Sequence, residues 1–304
     1  MTNRTLVCIG AGYTALAVAK LALRHGWRVV GTTRAASGVA RLQDAQIEPV
    51  VFDGLAPSQA LSQHLRAAEF VLISVGPDAT AARAVAGDRR VAEGRQRDAV
   101  LRLHWDDLAQ SPSLRGMCYL STTGVYGDHG GGWVDETTPA SPLSARSHAR
   151  LAAEQAWQSV ASAHGKARLA VFRLSGIYGP GRSPLERVRT GTARAVIKPG
   201  QVFNRIHVDD IAIAVEAVLS GRGQHVIYNV SDDEPAPPED VLTFAASLIG
   251  VELPPPVPFD EAHLGEMARS FYHENKRVSN TRLKTDLGLT LRFPTYREGL
   301  AALL

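Results

Sequence analysis

The stretch Gly10-Ala-Gly12-Tyr-Thr-Ala15 has the residue types and spacing that bear most directly on chemistry. Before it, Leu6-Val-Cys-Ile9 is apolar with no polar face, as in a strand covered on both sides. After it, Ala15, Leu16, Val18, Ala19, Leu21 and Leu23 recur at helical spacing up to Gly26. Gly10 permits a tight turn. Gly12 lacks the side chain that would keep a pyrophosphate off the backbone, and Ala15 lets the helix lie close to the strand. The unpaired amides of the first helical turn, near Tyr13 and Thr14, favour an anion there. Dinucleotide binding is the expectation. The alternative is a glycine turn that merely joins strand to helix.

A second strand ends at Gly31-Thr-Thr33-Arg34. NAD-preferring sites usually place an acid there, bonded to the ribose 2′-hydroxyl, and this chain has none. Arg34, with Thr33 or Ser37, suits a 2′-phosphate, because a guanidinium pairs well with that group. NADP is therefore expected ahead of NAD, with a solvated Arg34 as the alternative. Asp53 closes the third strand and either accepts from an adenine amino group or caps the following turn. The fourth apolar run, Phe70 to Val75, brings Ser74 to the strand end, where open α/β sheets bind ligands.

These residues need a frame. Helices are expected over residues 55–67, 93–109 and 144–163, strands over 115–120 and 167–174, and a loop or short helix over 80–90. The strict β-α alternation implies an α/β fold with a doubly wound parallel Rossmann sheet. The rhythm breaks after Leu174. The Rossmann domain is expected to span 1–174 with a contribution from 205–230. Residues 175–204 and 231–304 are expected to form a smaller C-terminal α/β substrate lobe. A short helix is expected at 184–189, a strand at 205–208, and a helix over 211–219 capped by Asp209 or Asp210. The proline run Pro254 to Pro258 must be extended.

Bulk properties narrow the function classes. The chain has 304 residues, a net charge of +3 and arginines spread along its length, too diffuse for a nucleic-acid partner. No apolar run is long enough to span a membrane, and no leader is expected, because a strand begins almost at once. The two cysteines, Cys8 and Cys118, both fall in apolar strands and read as core residues of a reduced, cytoplasmic protein. The histidines show no ligand spacing, so no metal is expected.

Together these features resemble the extended short-chain dehydrogenase/reductase superfamily, of the NAD-dependent epimerase/dehydratase type, nearly end to end. The likeness rests on Gly10-x-Gly12 with Asp53, on Leu120-Ser-Thr-Thr-Gly-Val-Tyr-Gly127 and on Arg173-Leu-Ser-Gly-Ile-Tyr-Gly-Pro-Gly181. It extends to His207-Val-Asp-Asp210 and the closing Leu283 to Gly288 segment. Within the superfamily the chain is similar to the bacterial YeeZ-type proteins. The resemblance implies a Ser or Thr that bonds the substrate oxygen. It also implies a Tyr, four residues before a Lys, that moves the proton while a nicotinamide exchanges hydride. The first role falls on Thr122, with Thr123 beside it. On the helix the registration places Arg146 where the tyrosine belongs and Arg150 where the lysine belongs, so no Y-x-x-x-K occupies that helix. Arg150 is suited to ribose or phosphate, but a guanidinium does not serve as a proton donor. Tyr126, His148 and Tyr178 are the alternative proton carriers, each also explicable as a structural residue.

The resemblance therefore implies an NADP-preferring oxidoreductase or epimerase relative with a non-standard site, acting on a small carbonyl or hydroxyl substrate. Two other readings stay open: a non-catalytic NADP-binding regulator or redox sensor, and a nucleotide-sugar epimerase/dehydratase. The position four residues before His207, where such epimerases often carry an Arg for the pyrophosphate, is Phe203. Arg182, Arg269, Lys276 and Arg277 are the cations that could meet an anionic substrate. A homodimer is expected by analogy only.

Overall fold

A computed structural model describes residues 4–78 and 88–304; most of the segment 80–90 lies outside them. The chain divides into two compact units. Element labels follow chain order through both.

The larger unit comprises Met1–Val125, Pro142–Arg173 and Ile211–Tyr228. Its elements are β1 (Thr5–Ile9), α1 (Tyr13–Arg24), β2 (Arg28–Thr33), α2 (Val39–Asp44), β3 (Glu48–Val51) and α3 (Gln59–Ala67). They continue with β4 (Phe70–Ile73), α4 (Asp88–Arg97), α5 (Ala99–Ala109), β5 (Gly116–Thr122), α6 (Ala145–His164) and β7 (Arg168–Leu174). Most of α8 (Val208–Leu219) and the start of β11 (Ile227–Val230) complete it. The strands form one seven-stranded sheet in the order β11-β7-β5-β4-β1-β2-β3. The pairs β1–β2, β2–β3, β1–β4 and β4–β5 are parallel. The chain runs outward from β1 through β2 and β3, then returns to add β4 on the other side of β1. That reversal opens a crevice beyond the ends of β1 and β4, where ligands bind in sheets of this kind.

The sheet is held by burial. Leu6, Val7, Cys8 and Ile9 are fully buried, as are Val71, Leu72 and Ile73 on the neighbouring strand. Each large aliphatic side chain contributes about 1.5–3 kcal/mol relative to exposure. Cys8 pairs in register with Leu72, and Leu72 with Cys118. The two thiols thus stand two strand spacings apart, about 9–10 Å, too far for a disulfide. Burial pushes the Cys8 thiol up to about 12 and the Cys118 thiol up as well, so both are inert core groups.

Two expected helices differ. The run 93–109 is split at Asp98 into α4 and α5. The Asp98 carboxylate caps α5 by accepting from the Val100 and Leu101 amides, and the Trp157 indole donates to it at 2.8 Å. Helical periodicity is blind to such a cap inside a polar stretch. Likewise α8 begins at Val208, so Asp209 and Asp210 lie in its first turn and do not cap it. Asp210 accepts instead from the Arg292 and Phe293 amides.

The second unit comprises Tyr126–Ser141, Leu174–Asp210 and Asn229–Leu304. It contains β6 (Trp133–Val134), β8 (Gly176–Tyr178), α7 (Pro184–Arg189), β9 (Val196–Ile197), β10 (Arg205–His207) and α9 (Pro238–Ile249). After these come β12 (Val257–Pro258), α10 (Glu266–Phe271), β13 (Arg277–Val278), α11 (Thr281–Leu287) and α12 (Tyr296–Ala301). Residues 126–141 group with it and not with the Rossmann domain, because β6 pairs with β13. Residues 205–210 do so because β10 pairs with β8. Val257 and Pro258, which close the proline run, form β12 and pair with β9. Tyr178, Leu185, Val241, Tyr296 and Leu300 centre its core. No helix among the described residues is long and apolar enough to cross a membrane.

Candidate functional site

The dinucleotide end of the site is built by the turn after β1. Gly10 has φ +81°, where an L side chain is strained, and a Cβ there would strike the Val75 side chain. Its amide donates to the Thr32 hydroxyl at 2.7 Å, and the Ala11 amide to the Thr32 carbonyl. These bonds pin the turn to β2. Gly12 is the N-cap of α1, with no side chain capping the helix and no acid in its first turn. A Cβ on Gly12 would point into open space. The uncapped amides after Gly12 are the cradle a pyrophosphate needs. Thr14 and Ala15 are buried against β1, while Tyr13 is half-buried.

Around this turn lie the residues expected to hold the adenosine half. Arg34 is exposed beyond the end of β2, and Thr33 closes that strand with its hydroxyl on the Ala35 carbonyl. Asp53 accepts from the Leu55 amide at 2.9 Å, which makes it a turn cap. Ser74 follows β4, half-buried, with its amide on the Ile9 carbonyl. Arg41, which the sequence did not single out, donates to the Ala11 carbonyl at 2.9 Å and brings a second cation to the turn. It sits on α2, an element too short for periodicity to reveal.

The chemical end lies where β5 closes. Three hydroxyls follow one another there with different tasks. Ser121 is buried and donates to Glu154. Thr122 is half-buried, and its Oγ1 accepts the Gly124 amide at 3.1 Å, so the hydroxyl proton remains for another acceptor. Thr123 is buried. Ser144 caps α6 by accepting the Ser147 amide and donates to the Ser147 hydroxyl at 2.9 Å. A Cβ on Gly124 would lie 3.0 Å from Ser147 Oγ and 3.4 Å from Thr122 Oγ1, so these hydroxyls flank one small space. The pattern Ser144-x-x-Ser147 at a helix start was the available signal for this pair.

Arg150, one turn further along α6, donates to the Leu120 carbonyl at 2.8 Å and to the Tyr119 hydroxyl at 3.3 Å. Its guanidinium lies 2.9 Å from where a Gly76 Cβ would stand, at the end of β4. It therefore bridges the ends of β4 and β5 as a fixed positive charge. Below it, Glu154 and Arg173 are both buried and joined by three hydrogen bonds, the shortest 2.8 Å. This pair ties α6 to β7.

The alternative proton carriers have other employment. Tyr126 is fully buried and donates to Asn229 at 2.8 Å, which makes it a packing residue of the second unit and not an accessible proton donor. Tyr178 is buried with its hydroxyl on the Thr295 carbonyl, and burial raises its pKa. His148 and Arg146 are exposed on α6. The chain does contain one Y-x-x-x-K, Tyr272 to Lys276, outside the registered helix. It spans the end of α10 and the approach to β13, so the two side chains do not share a helical face. Tyr272 packs on Phe203 and Phe259, while Lys276 donates to the Gly127 carbonyl and Glu274. The cations considered for an anionic substrate are engaged too: Arg277 with the Gly131 carbonyl, Arg269 with the Ala262 carbonyl. Arg182 is exposed in the turn beyond β8. Among the described residues no group of His, Cys, Asp or Glu could hold a metal ion.

A doubly wound sheet, a glycine turn open to a pyrophosphate and a hydroxyl-bearing strand end define a nicotinamide-dinucleotide-binding protein of the Rossmann class. The family model for the NAD-dependent epimerase/dehydratase family matches residues 6–231, and the chain belongs to that family. It is 44% identical to a conserved protein of unknown function from Silicibacter pomeroyi, with TM-score 0.84, over 99% of this chain and 98% of that one. UDP-glucose 4-epimerase from Thermotoga maritima, solved with UDP-glucose, is 17% identical with TM-score 0.73, covering 98% of this chain and 96% of that one. UDP-glucuronic acid 4-epimerase from Bacillus cereus, solved with NAD, is 16% identical with TM-score 0.74 over the same shares. At these identities the epimerases share the fold. No curated protein matches the chain.

Proposed function

We propose that the protein is an NADP(H)-dependent oxidoreductase or epimerase relative, acting on a small carbonyl or hydroxyl substrate without the usual tyrosine–lysine pair. The observation that carries this reading is the grouping of Thr122, Ser147 and Arg150 at the ends of β4 and β5, in the unit that also holds the glycine turn. A nicotinamide bound there would accept or supply the hydride. Thr122 Oγ1, already an acceptor for the Gly124 amide, turns its proton toward the substrate oxygen. Arg150 stabilises negative charge on that oxygen and keeps its own proton throughout. Proton exchange with solvent runs through the Ser147 and Ser144 hydroxyls. The protein acts in the cytoplasm, as a homodimer by analogy with the superfamily.

The test is a panel of small aldehydes and ketones with NADPH, followed at the nicotinamide absorbance. A substrate should be consumed, and Thr122→Val should lower kcat/KM by roughly a hundredfold, as for loss of one oxyanion donor. Absence of turnover across the panel, with intact NADPH binding, would favour the non-catalytic regulator or redox sensor. Tight binding of UDP-sugars by calorimetry would favour the nucleotide-sugar epimerase/dehydratase.

Cofactor choice rests on Arg34, which follows β2 where an NAD site would present an acid, and on Arg41, whose guanidinium donates to the Ala11 carbonyl. Asp53 Oδ2 is left to meet the adenine amino group. Arg34→Ala should raise Kd for NADPH by about tenfold while leaving NADH binding nearly unchanged. Equal losses for both dinucleotides would remove Arg34 from recognition of the 2′-phosphate.

A further inference from the structure

A cavity of about 340 Å3 opens in the larger unit at the edge where the strands begin, the opposite end of the sheet from the glycine turn. Its lining includes Arg4, Glu69, Arg115, Arg168 and Arg222. The first four enter the sheet side by side, each just before or at the start of its strand. The Arg168 amide donates to the Arg115 carbonyl, the Arg115 amide to the Glu69 carbonyl, and the Glu69 amide to the Thr5 carbonyl. Neighbouring strands lie about 4.8 Å apart, so the backbones of Arg115 and Arg168 are close, and both side chains line the cavity. Glu69 lies 3.7 Å from Arg115, whose side chain is 80% exposed. Arg4 lies over the Trp27 ring, and Arg168 donates to the Gly221 carbonyl beyond α8. Arg222 is answered by Glu216 at 3.5 Å, which leaves three guanidiniums, Arg4, Arg115 and Arg168, against the Glu69 carboxylate. Phe70, Leu169, Ala170 and Tyr228 form the apolar part of the walls.

We propose that this cavity is a second binding site, for a small organic phosphate. The volume is at the small-molecule end of ligand pockets, which favours a small occupant. A phosphate monoester carries close to two negative charges and three acceptor oxygens, enough for guanidiniums on adjacent strands to share. The apolar wall receives the organic body. The site is separate from the dinucleotide turn, because the same strands begin at one and end at the other.

Phenyl phosphate is the probe, titrated into the whole protein by calorimetry at low and at high salt. Saturable one-to-one binding is expected, weakened by salt. Arg115→Gln with Arg168→Gln should weaken it by at least about tenfold, while Arg34→Ala should leave it unchanged. Arg115→Gln alone, at an exposed side chain, serves if the double variant is unstable, and Arg115→Lys should restore most of the affinity. Absence of saturable binding to the wild-type protein overturns the proposal. So does equal affinity in the arginine variants, or loss of binding in Arg34→Ala, which would place the anion at the dinucleotide turn.

Discussion

Gly12→Val should fold normally and bind neither NADPH nor NADH with useful affinity. Gly12 has φ −88° and ψ −162°, a conformation valine adopts without strain. The added Cβ makes no close contact, since it comes no nearer than 4.0 Å to the Gly10 carbonyl. The space it enters is the approach of a pyrophosphate to the first amides of α1. Loss of that contact should cost about a hundredfold or more in Kd for both dinucleotides, or about 2.7 kcal/mol. Fluorescence titration of reduced nicotinamide, beside a thermal melt, separates the two effects. A variant that melts with the wild type and still binds would refute the phosphate cradle. Gly10→Ala is the contrasting case. It meets Val75 and a positive φ, so it should lose stability together with binding.

Glu154→Ala should be the most destabilising single change in the larger unit. Glu154 is 1% exposed and Arg173 5%, and they share three hydrogen bonds, with Ser121 donating to the same carboxylate. Breaking one side of a buried ion pair typically costs about 3–5 kcal/mol, a large share of a domain's net stability. Urea unfolding of the variant should show the midpoint shift at nearly constant slope. Glu154→Gln keeps the size and some of the hydrogen bonds and should lose less. A loss below about 1 kcal/mol for Glu154→Ala would mean that the carboxylate contributes little beyond its bulk. The pair also holds α6 against β7, so the variant should weaken the grip on Arg150 one turn earlier on that helix.

Much of the dinucleotide half was legible in the residues alone. A buried strand, a glycine turn and a helix are local features, each set by periodicity or by a backbone conformation that few residue types accept. Gly10, Gly12, Thr14 and Ala15 therefore stand where their spacing placed them. The parallel, doubly wound class of the sheet also follows from alternation, because parallel strands need helical crossovers, while the order of its strands is decided by packing. Asp53 was readable only as a choice between two roles, and its bond to the Leu55 amide is the turn cap.

What needed the folded chain is whatever joins residues far apart in sequence. Spacing could not tell that Ser121 serves Glu154 while Thr122 keeps its proton, since three consecutive hydroxyls look alike until α6 comes to lie beside β5. Nor could it tell that Tyr126 is sealed against Asn229, 103 residues on, or that Tyr272 and Lys276 keep a catalytic spacing without the helix that gives it meaning. Arg41 and the row of arginines at the strand starts were scattered single cations in the sequence. Strand pairing sets Arg115 beside Arg168 across 53 residues of chain, and only that pairing turns dispersed charge into a local field. Local sequence determines elements, because backbone conformation depends on near neighbours. Chemistry at a site depends on distance through space, and distance is decided by packing.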